Sequence, residues 1–142
     1  MKRIIFPALL LFVFAACKKS SSSTNNPNAT AAGFTWSEGG GATITADSAY
    51  YTEAYKTIMV WKSGAGKHIE VNLTAGLPAT YSFTSSANAF ALITGGAMYT
   101  ANAGTLTISS NAGGKMSGTF STQGTGASLT TVTGSFTDIP VR

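Results

Sequence analysis

Apolar and polar positions divide the chain into a leading stretch without alternation and a long remainder built of short alternating runs. From Phe34 onward, large apolar side chains recur at every second position, in runs bounded by Gly, Asn or Pro. A two-residue period with frequent turn signals predicts an all-β domain. Phe34-Thr35-Trp36 opens it, Gly39-Gly40-Gly41 turns it, and Ala42-Thr43-Ile44-Thr45-Ala46 alternates. Asp47 to Glu53 shows no clean period: Asp47-Ser48 suits the cap of one helical turn, the alternative is a strand running on into Tyr50-Tyr51, and a loop with at most one turn is the favoured reading. Thr57-Ile58-Met59-Val60-Trp61 is apolar on both faces, the pattern of a strand covered on both sides. Folding across Ser63-Gly64-Ala65-Gly66 sets Val60 opposite Ile69, Ile58 opposite Val71, and Trp61 opposite His68 on the outer face. Leu77-Pro78 breaks to a strand with Tyr81 and Phe83 inward. Phe90 and Leu92 follow, and Gly95-Gly96 forms a two-residue turn into Met98-Tyr99.

One phrase occurs twice in the last third: Met116-Ser117-Gly118-Thr119-Phe120-Ser121 and Val132-Thr133-Gly134-Ser135-Phe136-Thr137. Folded about Gly126, the two runs set Met116 against Phe136, Phe120 against Val132, and Gly118 against Gly134, all on one face. A three-residue loop, Asn111-Ala112-Gly113, adds Ile108 opposite Met116 and Leu106 opposite Gly118. Two opposed glycines leave a gap in the sheet, which a ring from Tyr81, Phe83 or Trp36 is expected to fill. The whole reads as an antiparallel up-and-down meander of about ten short strands that closes into a barrel or splits into a sandwich.

The leading stretch has a different character. Lys2 and Arg3 precede an apolar run of eleven residues, Ile4 to Phe14, shorter than the ~20 a membrane span needs. Ala15-Ala16 and the lone cysteine, Cys17, follow. This order resembles the lipobox of bacterial lipoproteins, with Phe14 where Leu is usual. The resemblance implies that residues 1–16 are a signal peptide and that Cys17 is lipidated. The alternative is an ordinary secretory signal beside a free thiol. Residues 17–33 comprise the cysteine and a Lys-Lys-Ser-rich linker expected to be disordered, spanning roughly 20–25 Å. Residues 34–142 then make a single domain. Lys18-Lys19 is followed by serines and no acid, so outer-membrane residence is expected while exposure on the outer surface stays open.

Without the signal the chain keeps seven basic and five acidic residues, a net charge of +2, and the basic ones are scattered. Such a distribution lacks the basic stripe that a nucleic-acid backbone requires. Gly64-Ala65-Gly66-Lys67 invites a phosphate-loop reading, but Trp61 stands where the first glycine belongs and His68 where Ser or Thr belongs. A single histidine and a single cysteine suggest neither a metal site nor a triad, and no carboxylates stand paired at ligand spacing. No enzyme activity, metal or cofactor is expected.

Trp36, Tyr50, Tyr51, Tyr55 and Trp61 crowd the first third of the domain. Exposed Trp and Tyr stack on sugar rings or anchor partners, whereas buried ones fill the core. Trp36, Tyr50, Tyr51 and Trp61 are the candidate ligand contacts. Asp47-Ser48-Ala49 also matches an Asp-Ser/Thr-apolar pattern for bacterial O-glycosylation, with Ser48 as acceptor and a plain turn as the alternative.

From Ile69 to Val141 the chain resembles a family of small bacterial lipoproteins known only as a domain of unknown function. The likeness lies in Ile69-Glu70-Val71-Asn72-Leu73, Thr80-Tyr81-Ser82-Phe83, Gly104-Thr105-Leu106-Thr107-Ile108, and the closing Gly-Ser-Phe-Thr-Asp-Ile-Pro-Val. It implies an envelope location and a β fold, and brings no catalytic residue. Two functions are therefore expected. One is a lipid-anchored, non-catalytic envelope protein with a structural or partner-binding role. The other is a module that captures a glycan or small ligand through the first-third aromatics.

Overall fold

The computed structural model describes residues 33–142, so the signal, Cys17 and most of the linker lie outside the described residues. The strands are β1 (Gly33–Glu38), β2 (Ile44–Thr45), β3 (Ser48–Thr52), β4 (Thr57–Lys62), β5 (Lys67–Asn72), β6 (Ala79–Ser82), β7 (Ala89–Thr94), β8 (Ala97–Ala112), β9 (Lys115–Gly126) and β10 (Thr131–Pro140). They form one ten-stranded sheet in the order β2-β1-β10-β9-β8-β7-β5-β4-β3, with β6 beside β8, and every strand pair is antiparallel. The sheet curls into a half-barrel.

Its two edge strands, β2 and β3, are consecutive in the chain, and this sews the seam. β2 pairs with β1 while β3 pairs with β4. Between them, the Ala46 amide donates to the Phe34 carbonyl and the Asp47 amide to the Trp61 carbonyl, each at 2.9 Å. Further along, Tyr51 and Val141 form a parallel bridge. There the Arg142 amide donates to the Tyr51 carbonyl (2.8 Å), and the Glu53 amide donates to the Arg142 carbonyl (2.9 Å).

Inward positions fill the interior with side chains. Phe34, Trp36, Tyr51, Phe90, Tyr99 and Phe136 are the largest of them, packed with Ile58, Val60, Ile69, Leu92, Leu106 and Ile108. Fully burying an aliphatic or phenyl side chain contributes roughly 1.5–3 kcal/mol, so this interior is what holds the shell together. Outward positions of β1, β10, β9, β8 and β6 are hydroxylated in two cross-strand rows. One runs Thr35, Ser135, Thr119, Thr107, Thr80, and the other Ser37, Thr133, Ser121, Thr105, Ser82. Branched or small hydroxyl side chains suit a pleated face open to water.

Several expectations need correction. Asp47 to Glu53 is no loop: Ser48–Thr52 is strand β3, held by β4 and by Tyr51 in the core. Strands β8, β9 and β10 are long, not short. The meander is interrupted, because β5 pairs directly with β7, and β6 pairs with the second half of β8. A bulge between Ala101 and Ala103 separates the halves of β8 where its neighbours change. The strand at Thr57–Trp61 has one core face only; Met59 and Trp61 are half-buried on the outside.

The hairpin register is displaced by two residues. Gly118 faces Phe136 and Gly134 faces Phe120, so no glycine opposes another. The turn lies at Ala127-Ser128, both at positive φ, with the Leu129 amide donating to the Gly126 carbonyl at 2.9 Å. Ile108 faces Gly118 and Leu106 faces Phe120, and the connection is a two-residue turn at Gly113-Gly114. Volume explains the choice. A shift of two keeps every face while letting each phenyl ring lie over the glycine opposite, so Phe136 and Phe120 fill the gaps assigned to Tyr81, Phe83 or Trp36.

Candidate functional site

Strands β3, β4 and β5 pair in register, so their outward side chains form cross-strand rows. Tyr50, Met59 and Glu70 make one row, and Thr52, Thr57 and Asn72 the next. The β3–β4 turn lifts Tyr55 beside these rows, 79% exposed, and Arg142 reaches over from the seam. These eight residues line a groove of about 660 Å³ on the outside of the shell.

Polar groups in the groove are connected and directed. The Thr57 hydroxyl donates to Asn72 Oδ1 (2.7 Å), and Asn72 Nδ2 donates to Glu70 Oε1 (2.8 Å). This chain fixes the Asn72 amide and leaves Glu70 Oε2 as an acceptor. The Arg142 guanidinium sits over the Tyr50 ring, 4.2 Å from its centroid, an attractive cation–π placement. Trp61, one row away, tilts against Tyr50 at 5.4 Å and stacks on His68 at 5.2 Å. The groove thus pairs apolar ring surface with a cation, a carboxylate and an amide.

The sequence candidates part company here. Tyr50 lines the groove and Trp61 supports it. Trp36, 1% exposed, and Tyr51, 0% exposed, lie in the core, because both stand in the inward register of their strands. Neither offers a face to a ligand. Ser48 is exposed at the outward start of β3, paired with Trp61. His68 is half-buried under Trp61, and its Nε2 is buried without a hydrogen-bond partner.

Two other polar clusters belong to the architecture. The inward rows of β1 and β5 end in Glu38 and Lys67, which meet across one mouth of the shell. Lys67 Nζ contacts both Glu38 oxygens (2.8 and 2.7 Å) and Thr94 Oγ1 (2.6 Å), and Glu38 Oε1 also accepts from Trp36 Nε1 at 2.9 Å. At the same end, Asp47 accepts from Lys62 Nζ at 2.6 Å and from the Ser63 amide at 2.9 Å. The Lys62 hydrogen bond holds the Asp47 carboxyl below its ordinary pKa. At the opposite mouth, the Tyr51 hydroxyl is buried without a partner and abuts Gly76, where a Cβ would fall 2.2 Å from it. Burial, with the nearby Glu53 charge, pushes the Tyr51 phenol up to about 12. Among the described residues no three His, Cys, Asp or Glu side chains gather as a metal site would require. A second, smaller groove of about 310 Å³ lies at the seam around Gly33, Asp47 and Asp138.

Sequence reading did not single out Glu70, Asn72 and Arg142. Glu70 and Asn72 follow from the β4–β5 register, which places them opposite Met59 and Thr57. Arg142 reaches Tyr50 only because the chain end pairs with β3, and no local pattern carries that signal. No family model, curated protein or solved structure matches the chain.

Proposed function

We propose that the protein is a lipid-anchored, non-catalytic component of the cell envelope that captures a glycan in the β3–β5 groove. The observation that carries this reading is the joining, in one open groove, of the Tyr50 and Tyr55 rings to the aligned Thr57–Asn72–Glu70 hydrogen bonds. Sugars present an apolar ring face and a hydroxyl rim, and this arrangement offers a partner to each. Glu70 is the single carboxylate side chain in the groove lining, and one of its oxygens is engaged by Asn72. Hydrolysis of a glycoside ordinarily uses two carboxylates, which favours binding without turnover.

Anchoring rests on the apolar run before Ala15-Ala16-Cys17 and on the resemblance to small lipoproteins. Two or three acyl chains give stable attachment where one is marginal, so Cys17 holds the domain at the outer membrane. Cys17→Ser is expected to release the protein to the periplasm or medium, and retention of that variant in the membrane contradicts the anchor.

Trp61 reports on the groove because it contacts Tyr50. Its emission should change, and its quenching by acrylamide should fall, when a binding saccharide is found in a panel. Tyr55→Ala should remove the response. Emission that no saccharide alters would instead support a purely structural role.

A further inference from the structure

The described residues contain five cationic and five anionic side chains, and eight of these ten are paired. Lys56 pairs with Glu53, Lys62 with Asp47, Lys67 with Glu38, and Lys115 with Asp138. The two left over are Arg142 and Glu70, and both line the same groove. Unpaired charges scattered over a surface need no explanation. Here the two residual charges of opposite sign meet in one cleft, beside two tyrosine rings.

Arg142 is also held ready. Its backbone is tied at both groups, its amide donating to the Tyr51 carbonyl (2.8 Å) and its carbonyl accepting from the Glu53 amide (2.9 Å). Its guanidinium rests on Tyr50. A guanidinium on a ring face still has N–H groups at its edge, arranged for the two oxygens of a carboxylate. Glu70 Oε2 and the second Asn72 N–H, by contrast, suit neutral hydroxyls.

On the reading that the groove captures a glycan, we propose that its ligand is an acidic saccharide. The carboxylate of a uronic acid unit pairs with Arg142, the ring hydroxyls bond to Glu70 and Asn72, and the sugar face lies on Tyr55. A neutral saccharide would leave Arg142 without its counter-charge.

The test titrates the full chain with trigalacturonate, its methyl ester and a neutral glucan trimer, read by Trp emission and calorimetry. Trigalacturonate should bind at least about tenfold more tightly than its ester, and added salt should weaken only the acid form. Arg142→Gln should remove that difference, and Arg142→Lys should retain part of it. Equal binding of acid and ester overturns the acidic preference and leaves glycan capture standing. Failure of all saccharides, or binding of an acidic peptide in their place, overturns both. The acid–ester comparison uses the unaltered protein, so it decides the matter even where a variant folds poorly.

Discussion

The glycine–phenylalanine exchange between β9 and β10 makes a quantitative prediction. A Cβ on Gly118 would lie 2.2 Å from the Thr107 carbonyl oxygen and 2.5 Å from Phe136 Cζ. At Gly134 the corresponding contacts are the Thr35 carbonyl at 2.3 Å and Phe120 Cζ at 2.6 Å. The carbonyls belong to ladders on the neighbouring strands and cannot rotate aside, so a methyl group must part the strands or expel a ring. Replacing a strand glycine by alanine normally gains about 0.5–1 kcal/mol. Overpacking costs roughly 1–3 kcal/mol per insertion and dominates at these distances. Gly118→Ala should therefore lose about 1–3 kcal/mol, and Gly118→Val more. Phe136→Ala should lose about 3–5 kcal/mol. In the double variant the alanine should cost less, because the ring it strikes has gone. Thr119→Ala, on the hydroxylated outer row, should stay within about 0.5 kcal/mol of the parent. Urea unfolding followed by far-UV circular dichroism measures each change. A Gly118→Ala protein as stable as its parent, with the same m-value, would refute the packing argument.

Other expectations follow from buried polar groups. Tyr51→Phe should cost no stability at neutral pH, because the hydroxyl it removes is buried without a partner; a loss above about 1 kcal/mol would mean that the hydroxyl is bonded. The folded Tyr51 keeps its proton up to about 12, whereas an unfolded tyrosine ionises near 10. Ionisation of Tyr51 therefore leaves stability untouched below about pH 10 and lowers it as pH rises toward 12, and Tyr51→Phe should flatten that alkaline decline in urea midpoints. Asp47 has the opposite sign, its depressed pKa giving stability above the ordinary carboxylate range that fades as pH falls. Lys67→Met leaves Glu38 largely enclosed without its cation and should cost about 2–3 kcal/mol, read as a lower thermal midpoint. Glu38→Gln in the Lys67→Met background should restore part of it.

The faces of the strands were legible where polar side chains alternate with large apolar ones, as in β5, where His68, Glu70 and Asn72 point out and Ile69 and Val71 point in. This is why Val60 against Ile69, Ile58 against Val71, and Trp61 against His68 agree with the pairing found. Register was harder. The two copies of the repeated phrase align as readily with glycine on glycine as with glycine on phenylalanine, and only side-chain volume decides. Strand β3 was obscured by Tyr50-Tyr51, where adjacent aromatics hide which one points inward. The outer face of β4 misled for a related reason: Met59 and Trp61 are apolar because Tyr50 and His68 cover them, not because a second layer does. At the site, aromatic composition pointed to Tyr50 and Trp61 but could not exclude Trp36 or Tyr51. The cation of the groove, Arg142, depends on the meeting of residues 141–142 with β3, a contact between residues far apart in sequence.

The groove itself is open to direct mapping. Backbone amide spectra of the protein, recorded with and without trigalacturonate, assign the binding surface residue by residue. Capture at the β3–β5 face requires shifts centred on Tyr50, Thr52, Tyr55, Met59, Glu70, Asn72 and Arg142, with the hydroxylated rows of β9 and β10 unmoved. Shifts centred on those rows, or on the exposed pair Ile93 and Met98, would contradict it, as would a spectrum that the saccharide leaves unchanged.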